Sequence, residues 1–463
     1  GPLRYNSLEM MRKRRRFMAN RSVDMTRGSV FRHVITFTFP LLIGNLFQQF
    51  YNLVDSLVVG NFVGANALAA VGTCGSLNYL IFALSSGLSV GLGILAAQAF
   101  GAKNTGDIRR IVAGGIYILG GAGLLVSLVG YALAPGLLRL LRAPDSVLPD
   151  ATVYLRLLCL GTVPVALYNG IASILRAMGD SRTSLYFLIA ASLINVVLDL
   201  VFVLGAGLGV FGVGLATLIS QIASFVISLV YALTRVSVFR LRREELKFDP
   251  EIVRRALVLG IPVAAQTSII SVSTMVLQGV VNGFGETVMA AYTVVDRVEQ
   301  IVQQPYNSLS TALTTFAGQN VGAQRLDRVK QGFRVSVYLA LGFSLLLLPI
   351  AYGFGPQIIG IFVKEPEVIA IGARALKINS LFYFALGMIY VPRSILNGCG
   401  DSAFAMINGI TEVICRVVYS NVFTRISAIG CWGIWITTGF TWGTTALVCL
   451  HRYFRGKWRR MFD

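Results

Sequence analysis

Long apolar segments separated by short polar connections occupy nearly the whole chain after residue 30. A helix needs about 20 apolar residues to cross a bilayer core roughly 30 Å thick. Twelve segments reach that length, at residues 31–59, 65–99, 108–134, 150–177, 183–204, 211–236, 252–281, 287–318, 332–354, 367–396, 402–424 and 430–451. The pattern therefore predicts an all-α membrane protein with twelve transmembrane helices.

The two halves of the chain repeat one another at an offset of 221 residues, with one residue of slippage at Pro40 and Pro262. The repeated positions are mostly glycines and their polar neighbours: Gly64, Gln98, Gly101, Gly179, Asp180 and Gly212 recur as Gly285, Gln319, Gly322, Gly400, Asp401 and Gly433. Because six spans is an even number, both halves enter the membrane in the same orientation. We expect two six-helix lobes related by a pseudo-two-fold axis along the membrane normal, with a cavity between them.

Composition and charge support a membrane location and set the orientation. The chain has 463 residues, of which 55% are hydrophobic and 13% charged, and its formal charge is +19. The Lys and Arg residues concentrate in alternate connections, whereas the intervening connections near 60–66, 205–211 and 282–287 lack them. The positive-inside rule then places both termini in the cytoplasm and makes a nucleic-acid partner unnecessary to explain the charge.

This pattern predicts five regions. They are a cytoplasmic N-terminal segment (1–30, with a tag scar at 1–2), a first lobe (31–236), a cytoplasmic linker (237–251), a second lobe (252–451) and a basic cytoplasmic tail (452–463). The six cysteines show no paired spacing, so neither disulfides nor a metal site is expected. The loop Gly179-Asp180-Ser181 favours a turn and a helix N-cap over a catalytic group.

A polar stripe follows the first helix of each half. Asn45, Gln49, Asn52 and Ser56 fall on one helical face, and their equivalents are Thr267, Ser271, Thr274 and Gln278. Polar side chains avoid lipid, so both stripes should face protein or water. The stripes are either the lining of a substrate cavity, at Gln49, Asn52, Ser271, Thr274 and Gln278, or contacts that hold helices together.

Two aspartates interrupt apolar spans of the first half. Asp55 lies five residues before Gly60 and Asp199 six before Gly205, and Thr217 enters from the same side on the next span. Asn195 precedes Asp199 by one helical turn. With a rise of 1.5 Å per residue, the two acids and Thr217 lie about 7 to 9 Å below the outer helix ends and can meet. Such an oxygen cluster can hold a proton, bind a small cation, or pin helices together by hydrogen bonds.

The second half lacks this cluster. Its equivalents of Asn195 and Asp199 are Arg416 and Ser420, and Glu412 stands one turn before Arg416, which predicts a structural ion pair. Asp296 and Glu299 flank Arg297 in the eighth span. These two acids either attract a cationic substrate or pair locally.

Six motifs resemble the multidrug and toxic compound extrusion (MATE) family, and most closely its archaeal and DinF-like bacterial branch. They are YNLVDSLVVGNFVG (51–64), QAFGAKN (98–104), GQNVGAQ (318–324), RAMGDSRTS (176–184), NVVLDLVFV (195–203) and GVFGVGLAT (209–217). The resemblance covers nearly the whole chain from about residue 28. It does not extend to the acid that another bacterial branch carries in the seventh span, where residues 266–278 read QTSIISVSTMVLQ.

The resemblance implies an antiporter of the bacterial inner membrane. In that branch the coupling ion, H⁺ or Na⁺, binds at the positions of Asp55, Asn195, Asp199 and Thr217, and the first helix bends at the position of Pro40. The exported substrate is an amphipathic, often cationic organic molecule. No enzymatic reaction and no cofactor other than the coupling ion are implied, and we expect a monomer in the lipid bilayer.

Two other functions compete with this interpretation. A lipid-linked-precursor flippase of the same superfamily would favour a cavity lined by many cationic residues, for which Arg393 and Arg416 are the candidates in the second half. A membrane-embedded transferase would need an Asp-rich metal motif or a His/Glu cluster at a cytoplasmic helix end. Neither feature is visible, so we rank both functions below the exporter.

Overall fold

The structure is a computed structural model that describes residues 22–141 and 143–462, without the side chains of residues 51, 53–57, 65 and 461. The first half forms seven α-helices: α1 (Val30–Val58), α2 (Ala65–Gly101), α3 (Thr105–Leu140), α4 (Leu148–Leu160), α5 (Thr162–Ala177), α6 (Ser181–Asp199) and α7 (Gly209–Arg235). The second half repeats this order with α8 (Pro250–Val281), α9 (Glu286–Gly322), α10 (Leu326–Gly360), α11 (Pro366–Ser380), α12 (Tyr383–Gly398), α13 (Ala403–Phe423) and α14 (Gly433–Arg455).

These helices account for the twelve expected spans. Eight of them are long and apolar enough to cross a membrane, and two further spans are the bent pairs α4–α5 (42°) and α11–α12 (48°). The remaining two, α9 with 37 residues and α14 with 23, are long enough but more polar. The predicted fold class, an all-α membrane protein, is confirmed.

The backbone repeats along with the sequence. Gly179 and Gly400 have φ of +89° and +87°, and Lys103 and Gln324 have φ of +58° and +56°. The last pair is informative because residues other than glycine seldom adopt a positive φ. Equivalent loops of the two halves therefore have the same conformation although their residues differ.

Contacts divide the chain into two compact units. Unit 1 contains Ile43–Gly260 and the segment that ends at Arg27, whereas unit 2 contains Gly28–Leu42 and Ile261–Asp463. The chain changes unit inside α1 and inside α8, within three residues of Pro40 and Pro262. Proline removes one helical hydrogen bond and clashes with the carbonyl of residue i−4, so each changeover coincides with a weakened turn.

Close helix packing explains why the start of α8 belongs to unit 1. A Cβ atom at Gly91 of α2 would lie 2.6 Å from the carbonyl oxygen of Ala256, and one at Gly260 would lie 2.9 Å from the Cα of Leu88. Glycine at both positions lets the two backbones approach. Ile252 and Leu259 are buried with α2 and α3 in the core of unit 1.

Candidate functional site

Asn195 and Asp199 lie on the buried face of α6 in unit 1. Each is only 1% exposed, and the one-turn spacing predicted from the sequence puts them on one side of the helix. Helix α6 packs against α7, which carries Thr217. The Thr217 hydroxyl is half-buried and donates to the carbonyl of Val213 at 3.0 Å.

The amide of Asn195 is the unusual feature of this face. Neither its Nδ2 nor its Oδ1 atom has a hydrogen-bond partner among the residues that the structure describes. A buried amide without partners costs free energy, of the order of 1 to 3 kcal/mol for each group. Asn195 is therefore a candidate ligand for an ion or a water molecule.

The helices that carry the two acids end in π-helical turns. Residues Val59–Val63 follow α1, and Leu200–Gly205 follow Asp199 directly. The amide of Gly64 donates to the carbonyl of Val59, and that of Ala206 to Val201, each five residues back. The two π turns contact one another. Such turns are rare and often mark functional sites.

Contact between the π turns brings the ends of α1 and α6 together. Asp199 lies immediately before one π turn, and Asp55 lies four residues before the other. The side chain of Asp55 falls outside the described part of the structure, so its distance from Asp199 stays a prediction. Pro40 is buried within α1, fifteen residues before Asp55.

The equivalent region of unit 2 is built differently. Arg416 Nη2 lies 3.1 Å from Glu412 Oε1 on α13, and both side chains are less than a tenth exposed. Ser420 donates to the carbonyl of Val417, and Thr438 to that of Ile434. Arg416, Ser420 and Thr438, the equivalents of Asn195, Asp199 and Thr217, thus each bond within their own helix. The turn after α8 is a 3-10 helix (Asn282–Phe284), not a π turn.

The two acids of α9 have different surroundings. Asp296 is exposed and accepts a hydrogen bond from the Gln300 amide at 2.9 Å. Glu299 is 5% exposed, and its Oε1 accepts from the Tyr383 hydroxyl at 2.8 Å and from Asn379 Nδ2 at 3.2 Å. Glu299 is thus held by neutral donors, whereas Asp296 remains accessible. Sequence reasoning missed Asn379 and Tyr383, which lie 80 and 84 residues after Glu299 and carry no charge pattern that links them to α9.

The polar stripes satisfy part of their hydrogen bonding locally. Thr267, Ser271 and Thr274 each donate to a carbonyl of α8, at 3.0, 3.2 and 2.8 Å. Gln278 donates to Asn282 at 2.8 Å. In α1, Gln49 is half-buried and Asn52 exposed, while the side chain of Ser56 lies outside the described residues. Asn52 and Thr274 are the exposed members of the two stripes.

The Gly-Asp-Ser loop is a helix cap, as the sequence predicted. Asp180 Oδ1 accepts from the Thr183 amide at 3.0 Å, and Oδ2 accepts from the Thr183 hydroxyl at 2.6 Å. In the second copy the two carboxylate oxygens of Asp401 instead accept from Arg452, from its Nε at 2.8 Å and from its Nη2 at 2.9 Å. Within the described residues, no group of three or more His, Cys, Asp or Glu side chains is arranged to hold a metal ion.

Comparisons with known proteins agree with this architecture. The MatE family model matches twice, at residues 40–201 and 262–422, once in each half. The chain is 30% identical to the probable multidrug resistance protein YoeA of Bacillus subtilis (strain 168) over 94% of this chain and 96% of that protein. It is 28% identical to the probable multidrug resistance protein YpnP of the same organism, over 95% and 98%.

A solved structure of a MOP superfamily transporter from Pyrococcus furiosus has the same fold. It superposes with a TM-score of 0.89 at 22% identity and covers 96% of this chain and 99% of that chain. Both halves of the sequence match the family model, and both relatives align over nearly their full length. The chain therefore belongs to the MatE family of multidrug and toxic compound extrusion transporters.

Proposed function

We propose that this protein is a cation-coupled antiporter that exports amphipathic, often cationic organic compounds. The observation that carries the proposal is the buried pair Asn195 and Asp199 beside the π turns of unit 1. The names of the relatives YoeA and YpnP, both probable multidrug resistance proteins, support the substrate class. As a member of a transporter family, the protein is not an enzyme.

The coupling ion, H⁺ or Na⁺, binds between Asp55, Asn195, Asp199 and Thr217. When the site is empty, its carboxylates are charged, and charge in a membrane-spanning segment is costly. Binding of a proton or a sodium ion removes most of that cost, so the ion favours a different arrangement of the surrounding helices. Helix α1 takes up this change at Pro40, where one helical hydrogen bond is missing.

Substrate export follows from the same cycle. Gln49, Asn52, Ser271, Thr274, Gln278, Asp296 and Glu299 are the proposed cavity residues. Among them Asp296 is the accessible carboxylate that can attract a cationic substrate, whereas Glu299 is enclosed by its donors Asn379 and Tyr383. We further propose a monomer in the bacterial inner membrane, with both termini in the cytoplasm.

The flippase alternative is less well supported. It needs exposed cations in the second half, but Arg416 is paired with Glu412, and Arg393 lies over the Tyr390 ring at 4.7 Å. The transferase alternative finds no support in the described polar groups of either unit.

The ion site is tested by the substitution Asp199→Asn. In proteoliposomes with imposed proton or sodium gradients, gradient-driven efflux of the cationic dye ethidium should fall to background, because an amide does not bind a proton at neutral pH and leaves the site without one of its charges. Ser420→Ala, at the equivalent position of unit 2, is the matched control and should transport normally. Efflux at the wild-type rate by Asp199→Asn would rule out the assignment, and comparison of the two gradients distinguishes H⁺ from Na⁺.

A further inference from the structure

We propose that Arg328 is a positioning residue that fixes the N-terminal end of α1 to unit 2, so that residues 28–42 transmit rearrangements of α1 to that unit. The inference rests on the proposed function, in which the coupling ion binds next to the outer end of α1. It adds a residue outside the ion site that determines whether ion binding has an effect on unit 2.

Residues 28–42 are a short segment of unit 2 with unit 1 on both sides of it in the chain. Val23, five residues earlier, is in tight contact with the Gly-Asp-Ser loop of unit 1: a Cβ at Gly179 would lie 2.3 Å from the Val23 carbonyl oxygen. The chain then belongs to unit 2 from Gly28 and returns to unit 1 at Ile43, three residues after Pro40. A bend at Pro40 therefore changes the direction of the outer part of α1 relative to a segment that stays with unit 2.

Arg328 holds the beginning of this segment. Its Nη1 donates to the Gly28 carbonyl at 2.9 Å, and its Nε donates to Asn320 Oδ1 at 3.2 Å. The side chain is 7% exposed and lies over the Phe316 ring, 5.9 Å from its centre. Asn320 is itself fixed by a bond from its Nδ2 to the carbonyl of Phe316 at 2.8 Å. Hydrogen bonds from a charged donor in a buried site are among the stronger ones.

The backbone conformation around Gly28 leaves its carbonyl outside α1, where it can accept this bond. Gly28 has φ of +79°, a conformation that favours glycine, and a Cβ there would lie 3.2 Å from His33 Nε2. Ser29 then caps α1, since its carbonyl accepts from the His33 amide at 3.1 Å. The Gly28 carbonyl thus lies outside the helix and is free to accept from Arg328.

The other half of the chain has a corresponding anchor with different chemistry. The start of α8 is held in unit 1 by Arg110 of α3, whose Nη2 lies 2.6 Å from Asp249 Oδ2. Arg110 and Arg328 both lie in the first two turns of the third span of a half, and each holds the first helix of the opposite half. The repeat equivalent of Arg328 is Asp107, so the repeated scaffold by itself does not require an arginine there. Each half thus holds the first helix of the other half, with different residues at related positions. This indicates that both α1 and α8 need an anchor.

The distribution of tryptophan gives a direct readout. All four tryptophans, Trp432, Trp435, Trp442 and Trp458, belong to unit 2, whereas the proposed ion site belongs to unit 1. Ion uptake can be followed separately. A pH indicator dye in a weakly buffered protein solution reports H⁺, and binding of radioactive sodium reports Na⁺. Uptake then reports the site in unit 1, and tryptophan fluorescence reports the response of unit 2.

The experiment compares Arg328→Ala with wild type and with the control Arg325→Ala, which removes an exposed arginine three residues away whose ion-pair partner is Asp327. We expect Arg328→Ala to bind the ion as wild type does, while the ion-dependent fluorescence change and the maximal rate of ethidium efflux fall by about tenfold, a typical coupling strength. The ethidium concentration for half-maximal efflux should not change. Arg328→Lys, which retains one donor, should be intermediate, and Arg325→Ala should match wild type.

Gly28→Ala provides a second variant that keeps the arginine but strains the acceptor, and it should reproduce the loss of the fluorescence response. The proposal is overturned if Arg328→Ala keeps the full fluorescence response, or if it loses ion uptake. Failure of the proposed function would be seen differently, as ion uptake that persists in Asp199→Asn.

Discussion

At the scale of single residues, the two halves differ most where Asn195 and Asp199 are replaced by Arg416 and Ser420. In unit 1 the buried amide of Asn195 is left without a protein partner among the described residues. In unit 2 a side chain supplies the positive charge: Arg416 is paired with Glu412 at 3.1 Å. This pair of substitutions supports the proposal that the coupling ion binds in unit 1 only, because Arg416 supplies a positive charge at the equivalent position of unit 2.

The Glu412–Arg416 pair should stabilise unit 2 only as long as both partners are present. Arg416→Met leaves a buried carboxylate without its counter-charge and should lower the free energy of unfolding by about 3 to 5 kcal/mol. Adding Glu412→Gln removes the uncompensated charge and should restore most of the loss. Chemical denaturation of the two single variants and the double variant in detergent measures the coupling. A cost below about 1 kcal/mol for Arg416→Met would show that the pair is not structural.

At the scale of elements, the connection between the halves (residues 237–251) is held against α3 of unit 1 by side-chain contacts. Arg109 binds Glu245 at 2.8 Å, and the Tyr117 ring meets Phe248 edge-on with centres 5.5 Å apart. Asp249 binds Arg110 and also caps α8, since its Oδ1 accepts from the amides of Glu251 and Ile252. Of these residues, Arg109, Arg110, Glu245, Phe248 and Asp249 line a cavity of about 300 Å³. The segment thereby fixes where α8 begins on unit 1.

Lowering the pH should detach the connection (residues 237–251) from α3. Burial raises the pKa of Asp249, but hydrogen bonds from Arg110 and from the backbone lower it more, so the net pKa lies below its ordinary value of 3.8. A lowered pKa means that the stabilisation is complete above pH 3.8 and is lost as the pH falls through the lowered value. A spin label at Leu246→Cys should become mobile only in that range. Arg110→Gln should make it mobile at neutral pH as well, and a transition above pH 5 would contradict the assignment to Asp249.

The π turns are the second feature at this scale. Their sequences, VGNFV and LVFVLG, resemble ordinary apolar helix ends, and nothing in them distinguishes a π turn from an α-helical one. The π geometry arises where the ends of α1 and α6 contact one another. The second half does not repeat the π geometry, since the corresponding turn after α8 is a 3-10 helix.

At the scale of the whole molecule, the distribution of charge and the even number of spans predict one orientation. The Glu244 connection is rich in arginine and should be cytoplasmic, whereas the Asn61 connection lacks basic residues and should face outside. Both side chains are exposed. Five of the six cysteines are buried, and only Cys431 is partly exposed. The Cys431→Ser variant should therefore react very little with reagents that label accessible thiols.

Labelling in intact cells with a membrane-impermeant maleimide tests this orientation. In the Cys431→Ser background, Asn61→Cys should react from outside, because no barrier separates it from the reagent. Glu244→Cys should react only after the membrane is opened. The reverse pattern would invert the assigned topology, and reaction of Glu244→Cys in intact cells would exclude a cytoplasmic linker.

Much of the architecture could be predicted from local pattern alone. Span positions follow from the length of apolar runs, because only helices satisfy their own backbone hydrogen bonds in lipid. The duplication follows from paired glycines such as Gly179 and Gly400, whose positive φ the structure reproduces in both halves. The partners of Glu299 could not be predicted in this way, because Asn379 and Tyr383 become its neighbours only when α9 packs against α11 and α12.

The sequence by itself determined the fold class, the repeat, the family and the residues proposed for the ion site, because these depend on hydrophobic length, periodicity and motifs that are local in the chain. Tertiary structure decided which unit each part of α1 and α8 joins, that Arg328 holds Gly28, and that two π turns meet beside the acids. The physical reason is that these features are contacts between residues far apart in sequence. Their free energy depends on packing and burial, which no single segment of the chain specifies.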